Sequence, residues 1–163
     1  MNVLILDVET TISNKGNPFD LTNKLVCVGL KWKDQLYIEY DHFDTIQKYI
    51  DFGYILVGFN IKFDLHWLRR IGIDISKIRV WDCQVAEFIL NNQQTKYPSL
   101  DEAALKYGYP PKIDNIKLNY WDKGICTSKV PRDELSDYLT QDLLLTEQVF
   151  KIQYKQFTGK SYV

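Results

Sequence analysis

The apolar positions of this chain fall first into short strand-like runs and later into helical spacing. Residues 3–8 are apolar and rich in β-branched side chains, broken only by Asp7, and predict a central strand buried on both faces. The polar, turn-rich stretch 12–24 predicts a loop, and 25–32 with 35–40 predict a hairpin turning at Lys33-Asp34. Residues 45–52 suit a short helix with Asp44 as its N-cap and Gly53 at its end. A second buried strand is expected over 54–59, a helix over 62–71 closed by Gly72, and a further short strand over 78–81. Residues 84–91 and 100–107 both predict helices, the second opened by a capping box of Ser99 and Glu102. The stretch 108–131 has no clean period and predicts an irregular arm, after which Pro131 opens a long helix from 133 to about 156. A hairpin directly after the first strand, with helices later, predicts an α/β fold: a mixed sheet flanked by helices, in one domain spanning 1–163.

Composition narrows the function classes. Net charge is only −1, so no basic surface announces tight electrostatic binding of nucleic acid, although an enzyme gripping a few nucleotides through metal ions stays open. Three scattered cysteines, Cys27, Cys83 and Cys126, form no C-x-x-C pair and read as reduced thiols. The first ten residues, MNVLILDVET, lack the basic start and long apolar core of a signal peptide. No stretch reaches the ~20 apolar residues of a membrane span. The expected location is the cytoplasm, with no membrane partner.

The chemistry concentrates in a few acidic strings. Asp7 and Glu9 lie two apart at the end of a strand, so their side chains leave the same face; alone, such acids usually just meet water. Asn60 and Asp64 lie four apart where a strand passes into a helix, a spacing that also suits a capping Asn and a first-turn Asp. The last helix carries a stripe of Leu135, Tyr138, Leu139, Asp142, Thr146, Val149 and Phe150 that should face the sheet. Asp142 sits in its middle with no Lys or Arg on the neighbouring turns, and a carboxylate there is costly without a partner. A metal cation, a protonated Asp142, or an ion pair with Arg69 or Arg79 would each resolve it. Taken together, Asp7, Glu9, Asp64 and Asp142 offer oxygen ligands only, which select hard cations such as Mg2+ or Mn2+. Two such ions ~3.5–4 Å apart serve in-line displacement at phosphorus. Tyr138, one turn before Asp142, is placed to orient an attacking water.

These strings resemble the DEDD-superfamily 3′–5′ exonucleases, of the kind that proofreads within bacterial and bacteriophage family A DNA polymerases. Asp7-Val-Glu9 matches the D-x-E motif, Asn60 and Asp64 match N-x-x-x-D, and Tyr138 with Asp142 matches Y-x-x-x-D. The histidine form of the third motif would put His at 137, which is Asp137 here, so the resemblance is to the DEDDy branch. It implies a ribonuclease H-like fold and two divalent cations. Asp7 would bridge both, Glu9 and Asp142 would complete the nucleophile side, and Asp64 would support the leaving-group ion. Tyr138 would position the water, while Thr10 and Asn60 would hold the terminal nucleotide. Asp82 aligns with a recurring acid whose role is indirect or structural, and His66, two beyond Asp64, should point away from the acids. The implied substrate is a single-stranded or frayed DNA 3′ end, in a bacterial or phage-infected cell. The chain would be a freestanding enzyme, with any polymerase a separate subunit, or a piece of a split or truncated polymerase. An RNA exonuclease of the same branch, or an inactive binding module, are the alternatives.

Overall fold

The computed structural model describes residues 1–163. Five strands, β1 (Val3–Thr10), β2 (Leu25–Trp32), β3 (Gln35–Glu39), β4 (Ile55–Gly58) and β5 (Arg79–Asp82), form one mixed sheet in the order β3-β2-β1-β4-β5. β1 runs antiparallel to β2, and β2 to β3, whereas β4 and β5 run parallel to β1. The helices are α1 (Thr45–Asp51), α2 (Ile61–Arg70), α3 (Cys83–Leu90), α4 (Leu100–Lys106), α5 (Asn115–Asn119) and α6 (Arg132–Thr158).

Alternation along β1 explains why its sequence is apolar on both sides. Leu4, Leu6 and Val8 join Val28 and Leu30 against Ile46 and Ile50 of α1 and Ile61, Trp67 and Leu68 of α2. Val3 and Ile5 point the other way, onto Ala103 and Ala104 of α4 and Leu143, Val149 and Phe150 of α6. Burial of one such side chain stabilises by roughly 1.5–3 kcal/mol, so the strand is pinned in register by both layers. Asp7 and Glu9 belong to the α6 face, and they begin where the apolar packing on that face stops.

The expected elements are present, with ends shifted by one or two residues. Asp44 stands at the N-cap of α1 without a side-chain cap bond, whereas Ser99 and Glu102 do form the capping box of α4. The stretch 108–131 is more ordered than its sequence suggests. It holds α5, capped by the Asp114 carboxylate accepting from Lys117 N–H at 2.9 Å, and two 3₁₀ turns. A helix of five residues is too short to show a 3.6-residue period. The loop 12–24 is tied down by buried Asn23, whose amide donates to the Ser13 and Asn17 carbonyls at 2.7 and 3.1 Å. No helix is long and apolar enough to cross a membrane.

Candidate active site

β1 and β4 pair only from Val3–Ile55 to Ile5–Val57. Past that point the β1 edge is open, and the Val8 N–H turns to carboxylates: it donates to Asp7 Oδ1 and to Asp64 Oδ1, each at 3.0 Å. Asp64 reaches it from α2, where the neighbouring Ile61, Trp67 and Leu68 anchor the helix on the opposite face of the sheet. Asp64 itself is buried, 3% exposed.

Asp142 comes from the other side. Its approach depends on Gly29, the β2 residue paired with Asp7. A Cβ built at Gly29 would lie 2.7 Å from Leu143 Cδ1 and 2.9 Å from Leu139 Cγ, so only glycine lets α6 settle this close to the sheet. Leu139 and Leu143 flank Asp142 on the helix, and their seating over Gly29 carries Asp142 to β1. As a result, ligand oxygens of Asp7, Glu9 and Asp142 all lie within 4.8 Å of one another. Asp64 stands outside this trio, joined to it through the shared Val8 N–H.

Crowded carboxylates with little water resist ionisation. Burial first, and the Asp142 charge second, push Asp7 up to about 8. Glu9 is held well above the usual carboxylate range by burial and by Asp7, and Asp64 likewise by burial and Asp7. Burial also raises Asp142, with an opposing pull from Lys112.

That lysine corrects the sequence-based reading of Asp142. Neither Arg69 nor Arg79 reaches it; the Arg79 guanidinium donates to the Gly53 carbonyl. Instead Lys112 Nζ, from the segment between α4 and α5, donates to Asp142 Oδ1, and both side chains are about nine-tenths covered. The ammonium also lies 4.1 Å from the centre of the Tyr138 ring. Pattern reading missed it because Lys112 sits outside any periodic segment and thirty residues upstream. The one local signal is its position directly after Pro110-Pro111, as the sole cation between Lys106 and Lys117.

The remaining predicted residues are dispersed around this centre. Tyr138 packs edge-on against Trp121 at 5.6 Å, burial raises the pKa of its hydroxyl, and that hydroxyl makes no hydrogen bond within the protein. Asn60 precedes α2 in the left-handed region (φ 57°) with its side chain exposed and not used as a cap, so it does not share Asp64's buried face. Thr10 is buried, and its hydroxyl donates to the Thr11 carbonyl at 3.0 Å. Asp82 has the structural role expected of it: its Oδ1 accepts from the N–H groups of Asn60, Gln84 and Val85 at 3.0, 2.9 and 3.4 Å, capping α3 and fixing the turn before α2. His66 packs against Phe19 at 5.1 Å, away from the acids. A cleft of about 290 Å³ opens onto Asp7 and Asp142 of the trio, lined also by Phe59, Asp101, Lys112 and Tyr138.

No protein-family model matches the sequence, and no curated protein matches it significantly. Solved structures do match. NrnC of Brucella melitensis with bound Mg2+ superposes with a TM-score of 0.68 at 12% identity, over 94% of this chain and 72% of that one. The same protein bound to pGG gives 0.69 at 13% identity, with the same coverage. The fold is ribonuclease H-like. The EXO domain of Aedes aegypti Nibbler shares it, with a TM-score of 0.63 at 13% identity over 96% of this chain and 80% of that domain. At identities of 12–13% these likenesses are likenesses of fold.

Proposed function

We propose that this chain is a metal-dependent 3′–5′ exonuclease, acting as a single domain on single-stranded or frayed nucleic-acid 3′ ends. The observation that carries this reading is the meeting of Asp7, Glu9 and Asp142 within 4.8 Å, with Asp7 and Asp142 lining a cleft and Asp64 bonded to the same strand. Their donor atoms are all carboxylate oxygens, a set that fits two hard divalent cations, Mg2+ or Mn2+, and not zinc. Bound there, such ions would activate a water and neutralise charge on the phosphate and the departing oxygen. The acids' own resistance to ionisation fits this use, since a cation supplies the charge they lack.

The other side chains take roles from where they stand. Tyr138 keeps its proton, and its free hydroxyl can orient the attacking water beside Asp142. Asn60, exposed at the start of α2, would hold the terminal nucleotide together with Thr10. In the reaction a water oxygen bonds to phosphorus as the bond to the upstream 3′ oxygen breaks. That oxygen leaves with a proton, and a nucleoside 5′-monophosphate departs. DNA is the first reading of the substrate, in proofreading beside a separate polymerase subunit. RNA is the second; NrnC, whose fold is similar, has been solved bound to pGG.

Matched 5′-labelled DNA and RNA strands, incubated with Mn2+ or with EDTA, test the proposal. Stepwise shortening in Mn2+ is expected, and the faster of the two strands names the substrate. Asp7→Ala and Asp142→Ala should each abolish shortening, while Tyr138→Phe should slow it by less because every metal ligand remains. Undiminished cleavage by the Asp7→Ala/Asp142→Ala double variant refutes the assignment.

A further inference from the structure

Lys112 is the one basic group inside the acidic cleft. Its ammonium is bonded to an oxygen of Asp142, a carboxylate of the trio proposed to hold metal. An ammonium and a divalent cation cannot both sit against the same carboxylate at close range without strong repulsion. Lys112 and a metal ion therefore compete for this carboxylate.

The segment carrying Lys112 is built to let the lysine move. Residues 109–114 lie between α4 and α5 with no regular secondary structure. Pro110 and Pro111 have no N–H to donate, and no backbone N–H from Lys112 to Asp114 is engaged in a backbone bond. Inside the segment the Ile113 carbonyl accepts from the Asn115 N–H at 2.9 Å, and the other anchors lie at its ends. Tyr109 N–H donates to the Ala104 carbonyl, its hydroxyl donates to Gln148 Oε1 at 3.1 Å, and Asp114 caps α5. The Ile113 side chain, next to the lysine, is exposed. A stretch with so few restraints opens locally at little cost. While bonded to Asp142 the ammonium also lies over the Tyr138 ring face, 4.1 Å from its centre.

Resting on the exonuclease reading above, we propose that Lys112 exchanges partners during the reaction cycle. It neutralises Asp142 in the metal-free protein, and when a divalent cation takes that carboxylate it turns to a phosphate of the substrate strand entering the same cleft. Lys112 is then a substrate-positioning residue whose resting place is a metal ligand. A long, flexible stem with three rotatable donors suits such a move better than a fixed planar guanidinium.

The exchange makes two effects of opposite sign. Removing the ammonium removes a competitor for Asp142, so Lys112→Met should bind Mn2+ about tenfold more tightly, as read by calorimetry or by the Mn2+ electron spin resonance signal without substrate. The same variant should raise KM for an oligonucleotide at saturating Mn2+ several-fold, with kcat changed much less. Lys112→Arg should restore most of the KM. If Lys112→Met fails to fold by circular dichroism, Lys112→Gln, which keeps a polar head, carries the same two expectations. Unchanged or weaker Mn2+ binding, or an unchanged KM, overturns the exchange. Absence of Mn2+ binding to both wild type and variant overturns the metal reading itself, a result distinct from tight binding that Lys112 does not affect.

Discussion

The closeness of α6 to the sheet at Gly29 sets the acidic centre, and Gly29→Ala tests it directly. The added methyl would meet Leu143 Cδ1 at 2.7 Å, about 0.7 Å short of the 3.4 Å at which ordinary contact begins. Rotating a leucine out of the way is not open to the protein. Leu139 and Leu143 are both fully buried, and the 2.9 Å contact is to Leu139 Cγ, a branch point and not a mobile end. The helix itself must back away, with Asp142 on the same turn. Overpacking of this kind costs about 1–3 kcal/mol, and in a chain of this length each kcal/mol lowers Tm by roughly 2–4 °C. The effect on metal binding should be disproportionate, because ligand distances tolerate only about ±0.2 Å, while the helix must give several tenths of an ångström. Thermal denaturation in EDTA should show the Tm loss, and Mn2+ titration should show a fall in affinity beyond what stability explains. A Gly29→Ala protein with wild-type Tm and wild-type Mn2+ affinity would mean that α6 does not depend on this glycine for its seat.

Two further outcomes follow from the site. Asp7, pushed up to about 8, keeps a proton in the folded state that it loses in the unfolded state above its ordinary 3.8. Between these values the native protein binds more protons, so stability falls as pH rises. Glu9, Asp64 and Asp142 shift in the same direction. Tm in EDTA should therefore drop from pH 5 to pH 8.5 and the drop should vanish in Mg2+; a Tm in EDTA that climbs over this range contradicts the crowding of unpaired acids. Asp82→Ala should cost about 1–2 kcal/mol, from the lost cap of α3 and the freed Asn60 N–H. Cleavage in Mn2+ should persist with a raised KM, and complete loss of Mn2+ binding would instead mark Asp82 as a ligand.

Much of the fold was legible because its determinants are local. The apolar run of β1, the Ser99–Glu102 box and the stripe of α6 each state their element within a few residues, and the structure honours them. The acids were legible for a related reason. A carboxylate on an otherwise apolar face, such as Asp142, is conspicuous in periodicity alone. What stayed hidden was set by tertiary distance. Gly29 reads as one more small residue in a strand; its meaning comes from Leu139 and Leu143, more than a hundred residues later. Thr10 could be placed near the site by position, but its hydroxyl's commitment to the Thr11 carbonyl depends on the loop geometry that follows.

Lys112 shows the same divide in its sharpest form. That Asp142 needs a cation or a proton could be deduced from the helix alone, since a bare buried carboxylate is costly. The supplier could not, because any cation the chain's path delivers will serve, and that path runs through a short helix and two prolines with no readable period. Burial above all, with the neighbouring carboxylates adding to it, keeps Asp7 and Glu9 raised even with Lys112 opposing them. A lysine that met the whole demand would close the site to metal. One that meets part of it keeps the carboxylates assembled and leaves a charge deficit that divalent cations are suited to fill.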